Sequence, residues 1–150
     1  MRQMILFLVI ALTLLASLVA TADPDTRERC ITLEAPRLNI DPDLARSIVE
    51  VESNGNEKLI GKIGELSEWQ LRPNFHMVRQ GDTYHNCLVA LRYLNSLYRA
   101  RRATYGTAFF VAYNFGPSRT LTNPKQTAYF RKVMAAYTAR KLARRIAHAY

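Results

Sequence analysis

The segment from Asp41 to Gly55 leaves a folding chain little choice. Asp41 offers a side-chain oxygen to cap a helix start. Pro42 has the φ of a first helical residue and lacks an N–H that would go unpaired there, and Asp43 sets a negative charge at the positive end of the dipole. Asn54-Gly55 tolerates the left-handed conformation in which helices stop. A helix is therefore predicted over 41–53, with Leu44 and Ile48 on one stripe.

The remaining sequence asks for more of the same element. Helices are predicted over 26–35, ending where Pro36 removes a donor, and over 86–101, where Cys87, Leu91, Leu94 and Tyr98 recur at three- and four-residue steps. Shorter helices are expected over 65–71, closed by Pro73, and over 107–113, stopped by Asn114-Phe115-Gly116-Pro117. From 126 onward a helix should carry Phe130, Val133, Met134 and Tyr137 on one face. The polar stretch 56–64, with Gly61 and Gly64, reads as loop. Period-two alternation is nowhere sustained, so the expected fold class is mainly α.

The first residues are of another kind. Arg2 is followed by the uncharged apolar run 5–19 and by Ala20-Thr21-Ala22, a small-x-small site, before Asp23-Pro24. These are the three parts of a secretory signal over 1–22, with an uncleaved membrane anchor as the alternative. Either way the folded domain, 23–150, is expected outside the cytoplasmic membrane, in the periplasm or cell envelope. The 128 residues beyond Ala22 suffice for one core. They carry 20 Lys and Arg against 12 Asp and Glu, formally +8, which points to anionic envelope polymers or headgroups as partners. Nucleic acid is excluded by the export signal. Cys30 and Cys87 would form one disulfide in an oxidising compartment, or remain two buried thiols.

Glu52 continues the stripe of Leu44 and Ile48, whereas Glu50 lies roughly 200° around the helix and should face solvent. A carboxyl on a buried stripe is desolvated, which raises its pKa toward the range a general acid needs. The same position also suits a rim glutamate whose head reaches water.

Three segments resemble a known family. Ile48-Val49-Glu50-Val51-Glu52-Ser53-Asn54-Gly55-Asn56, after Ile40-Asp41-Pro42-Asp43-Leu44, looks like the opening motif of the lytic transglycosylases, in which a helix ends in Glu-Ser. Gly64-Glu65-Leu66-Ser67-Glu68-Trp69-Gln70-Leu71-Arg72-Pro73 is similar to their second motif, and Ala112-Tyr113-Asn114-Phe115-Gly116-Pro117 to their third, in the family's order. The resemblance implies a lysozyme-like fold with a substrate cleft, acting on peptidoglycan glycan strands as a monomer without a cofactor. It implies that Glu52 protonates the bond between N-acetylmuramic acid and N-acetylglucosamine. Tyr113 would orient Glu52, Gln70 and Asn114 would bind sugar, and Ser53 would steady the acid. Some specialised members, in secretion and conjugation systems, carry a cysteine pair placed like Cys30 and Cys87, which favours the bridge and adds such an apparatus as a candidate partner.

The second motif departs from the family's Gly-Leu-Met at Ser67-Glu68-Trp69. Trp69 is then a core residue or a sugar platform. Glu65 and Glu68 become candidate second acids, which would make the enzyme a hydrolase activating water. A catalytically weak wall-binding or secretion-assembly subunit is the reading from another class. His76, His85 and His148 have no metal-ligand spacing, and no metal is expected. Arg131, Lys132, Arg140, Lys141, Arg144 and Arg145 form a basic face, either solvated or attached to wall or lipid.

Overall fold

The computed structural model describes residues 24–149, so the predicted export signal lies outside the described residues. Along them run α1 (Pro24–Arg37), α2 (Pro42–Ser53), α3 (Thr83–Tyr105), α4 (Val111–Phe115) and α5 (Ala128–Ala147), with 3₁₀ turns at Gly106–Ala108 and Pro124–Gln126. Among the described residues no strand forms, and the one bridge joins Leu66 to Leu71. The fold class is mainly α.

Local chemistry sets α2 as predicted. The Asp43 N–H donates to Asp41 Oδ1 at 2.8 Å, and Asn54 closes the helix at φ 54° with its N–H on the Glu50 carbonyl. α2 lies between α1 and α5, and α1 packs on α3. Their inner faces bury Ile31, Ile48, Leu91, Leu94 and Val133, and Phe110 joins them from the turn before α4. Each such side chain contributes about 1.5–3 kcal/mol when fully removed from water. A disulfide between Cys30 and Cys87 joins α1 to α3, and both cysteines are buried.

Several predicted boundaries are corrected. The first helix passes Pro36 and ends at Arg37. A proline in the last turn removes only one N–H, and the turn beyond it closes with Ile40 N–H on the Ala35 carbonyl at 2.9 Å. The helix predicted over 86–101 begins at Thr83, because Asp82 caps the His85 N–H at 2.9 Å, and runs on to Tyr105. The helix predicted over 107–113 divides into a 3₁₀ turn and α4. The last helix starts at Ala128, where the Thr127 hydroxyl accepts from the Phe130 N–H.

No helix forms over 65–71. Leu66 and Leu71 exchange backbone bonds of 2.8 and 2.9 Å, while Ser67 and Gln70 take positive φ. Seven residues make a poor isolated helix, and burial of Trp69 and Leu71 outweighs that weak preference.

The basic face of α5 is also corrected in part. Arg140 pairs with Glu50 at 2.7 Å, Lys141 with Asp41 at 2.9 Å, and Arg144 with Asp43 at 2.8 Å. These three cations clamp α5 onto α2, and Arg131, Lys132 and Arg145 remain exposed. Partial burial opposes ionisation of Asp41, yet Lys141, the Tyr137 hydroxyl and the Asp43 amide hold its carboxyl below the ordinary value. The exposed Arg140–Glu50 pair adds less than about 1 kcal/mol. Asp43, only 3% exposed and met by Arg46 and Arg144, holds this end of α2 more firmly.

Candidate active site

The stripe of Leu44 and Ile48 does lead to Glu52, in the last turn of α2. Glu52 is half-buried, and its Oε1 accepts a 2.7 Å hydrogen bond from the Tyr129 hydroxyl on the first turn of α5. Burial pushes its pKa up to about 7; the Tyr129 bond opposes this and the Glu65 charge adds to it. The negative end of the α2 dipole acts in the same direction as burial. Such a carboxyl holds a proton about half the time near neutrality, so it can give one and take one. Glu50 turns outward to Arg140, as its angle predicted.

The hydroxyl on Glu52 differs from the one expected. Tyr113 lies close enough for the Glu52 charge to reinforce burial in raising its own pKa, but it donates to the Trp69 carbonyl at 2.8 Å. Tyr129 is the partner, and the reading of the sequence missed it. A signal existed: Tyr129 stands four residues before Val133, so the buried stripe of α5 extends back to it. Tyr113 instead ties α4 to the second-motif loop, with its ring 5.3 Å from that of Tyr93.

That loop is fastened to the end of α2. Ser53 is buried, and its hydroxyl donates to the Glu68 carbonyl at 2.7 Å, which fastens the loop beside Glu52. Gln70 Nε2 donates to the carbonyls of Leu59 and Ser67 at 3.0 and 2.9 Å, so its amide braces the loop. The chain approaches at Gly61, where a Cβ would collide with Glu65 and Gln70. Asn114 is exposed at the end of α4.

The two candidate second acids have different surroundings. Glu65 faces Glu52 closely enough to be felt there; its Oε2 accepts from the Ile63 N–H at 3.1 Å and its Oε1 lies 3.8 Å from Arg72. Glu68 is 1% exposed, its carboxyl oxygens receive no well-aligned hydrogen bond, only the weak approach of its own N–H and the Trp69 indole, and no bond joins it to Glu52. Burial raises its pKa, and its own backbone N–H, the Arg27 charge and the Trp69 indole N–H partly offset this. Trp69 is entirely buried and is a core residue, not a platform.

A buried carboxyl without a well-aligned hydrogen bond weakens the fold. Glu68→Leu should stabilise the domain by about 1–3 kcal/mol. The gain should be larger in alkali, where the native state must ionise Glu68 against its raised pKa. Thermal unfolding at acid and alkaline pH checks this; a destabilised variant would mean that Glu68 has a partner in solution.

An open cavity of about 550 Å³ lies farther along the same face of α2, bounded by Leu44, Tyr98, Phe109, Phe110, Met134 and Tyr137. Among the described residues no three His, Cys, Asp or Glu side chains converge to hold a metal ion. Residues 29–136 match the family model described as the transglycosylase SLT domain. No curated protein and no solved structure matches the chain.

Proposed function

The chain belongs to the transglycosylase SLT domain family, and from that premise we propose that it cleaves peptidoglycan strands without water, using Glu52 as acid and then as base. Family membership supports the coarser statement, a transglycosylase-type domain of lysozyme-like fold acting on peptidoglycan. The finer reading rests on one observation above the others: a half-buried carboxyl with a single hydroxyl partner and a pKa near 7.

In the proposed reaction Glu52 donates its proton to the glycosidic oxygen as the bond from muramoyl C1 breaks. The N-acetylglucosamine hydroxyl leaves, and Glu52, now a carboxylate, takes the proton of the muramoyl C6 hydroxyl. That oxygen attacks C1 of its own sugar and closes a 1,6-anhydro ring. The proton balance returns Glu52 to its starting state, so one carboxyl suffices. Tyr129 is a positioning residue, because it fixes Oε1 and stabilises the carboxylate of the second step. Asn114, exposed beside the site, is the proposed sugar ligand; Gln70 and Ser53 support it by shaping the loop. Export to the periplasm or envelope, read from residues 1–22, is part of the same proposal.

The charge of Glu65 at Glu52 gives hydrolysis a specific basis as the second reading, with Glu65 activating water. Mass spectrometry of fragments released from purified sacculi separates the two. Anhydro ends are expected, and reducing ends would replace the first reading with the second.

Tyr129→Phe tests the positioning role. Loss of a donor to the carboxylate raises the Glu52 pKa further, so the fall in activity on the alkaline side should move to higher pH. The optimum rate should drop roughly tenfold, within the contribution of one hydrogen bond to a charged group. A slower variant with an unmoved pH profile would make Tyr129 merely structural.

A further inference from the structure

The irregular loop over 56–82 exposes an unusual set of side chains. Ile60, Ile63, Phe75 and Met77 are 69%, 64%, 75% and 79% exposed, and Leu59 is 37% exposed. Side chains this exposed do not form the walls of a groove. They stand clear of their neighbours, at the tips of turns.

The two tips belong to one unit. The Glu65 carboxylate accepts from the Ile63 N–H and faces Arg72, while the Arg72 carbonyl accepts from the N–H groups of Phe75 and His76, both at 3.0 Å. One carboxylate therefore connects the Ile60–Ile63 tip to the Phe75–Met77 tip.

The loop carries four bases and four acids, and its unpaired positive charge is at the first tip. Lys58 and Lys62 flank the first tip, are exposed, and form no ion pair among the described residues. Arg72 and Arg79 flank the second, paired with Glu65 and Asp82, each at 3.8 Å. The acids of the loop are engaged or buried: Glu57 accepts from the Thr83 hydroxyl, Glu65 is held as above, Glu68 is interior, and Asp82 caps α3. Exposed apolar clusters mark contact surfaces, and an aliphatic tip flanked by two unpaired lysines matches the boundary between lipid tails and anionic headgroups.

We propose that the 56–82 loop docks the domain on an anionic lipid surface, with Ile60, Ile63, Phe75 and Met77 entering the interface and Lys58 and Lys62 meeting the headgroups. Three of the four tip side chains, Ile60, Ile63 and Met77, offer no flat ring for a sugar face and favour lipid, whereas Phe75 alone would suit either. The loop also contains Glu65, which faces Glu52, so docking would hold the site at the membrane face of the wall. Docking is independent of whether the glycan is cleaved.

The test uses the full chain, with an environment-sensitive fluorophore on Met77→Cys and, as a control, on Ser96→Cys, exposed on α3. The apolar run 5–19 is common to both, so the readout is local. Vesicles of phosphatidylglycerol in phosphatidylcholine should blue-shift the label at position 77 and leave the label at 96 unchanged. Charge reversal at Lys58→Glu with Lys62→Glu should weaken the response at least about tenfold, since each lysine at such a surface contributes about 1 kcal/mol. No shift with anionic vesicles overturns the proposal, as does an equal shift at position 96. A shift produced by soluble glycan fragments and not by vesicles also overturns it, and assigns the patch to the substrate.

Discussion

Glu52→Gln is expected to abolish clearing of purified sacculi while leaving the domain folded. The glutamine keeps the shape and can still accept from the Tyr129 hydroxyl, but it has no proton to transfer. Loss of a general acid costs about 10²- to 10⁴-fold in rate. The variant should also be more stable above neutrality. The pKa of folded Glu52 stands at about 7 against an ordinary 4.5, so the native state keeps a proton that the unfolded chain has released. That contribution is fully present below the unfolded value and is lost as pH rises through the folded one. Glutamine stays neutral throughout, so the variant should gain up to about 3 kcal/mol over the parent above pH 7 and nothing in acid. Chemical unfolding of both proteins at the two extremes measures this. A variant that clears sacculi at the parent rate would remove Glu52 from the chemistry.

Loss of the Cys30–Cys87 bridge should produce the largest change in stability. The cysteines are 57 residues apart in sequence and join α1 to α3. By loop entropy such a bridge removes about 4 kcal/mol of freedom from the unfolded chain. Replacing both cysteines by alanine should therefore lower the melting temperature by more than about 10 °C, and reductant should have a comparable effect on the parent. The effect should reach the site, because α1 carries Arg27, whose guanidinium donates to the Gly55 carbonyl at 3.1 Å just beyond Glu52. Circular dichroism melts check the prediction. A shift of only a few degrees would mean that packing of α1 on α3 suffices alone.

What could be read from the sequence was mostly local. Asp41, Pro42 and Asn54 act within a few residues of themselves, and they set the ends of α2 where expected. The period of Leu44, Ile48 and Glu52 likewise needs no tertiary information. The 65–71 segment was misread because its conformation depends on distant packing: Trp69 is drawn into a core made by other helices, and Tyr113 holds its carbonyl from 44 residues away. Tyr129 was missed for the same reason, since 77 residues separate it from Glu52 and only the packing of α5 on α2 brings them together. The charges of α5 looked solvated because their acidic partners lie near the start of the fold. Arg144 and Asp43 are 101 residues apart.

The central claim is that the end of α2 presents a carboxyl that is still protonated about half the time at neutral pH. It is tested most directly by titrating Glu52 itself, through the carboxyl ¹³C resonance of glutamate-labelled protein, assigned by its absence from Glu52→Gln. The expected result is a midpoint near 7, with the alkaline fall of sacculus cleavage superimposed on the same curve. A Glu52 that titrates in the ordinary carboxylate range, while cleavage continues at neutral pH, would contradict the account.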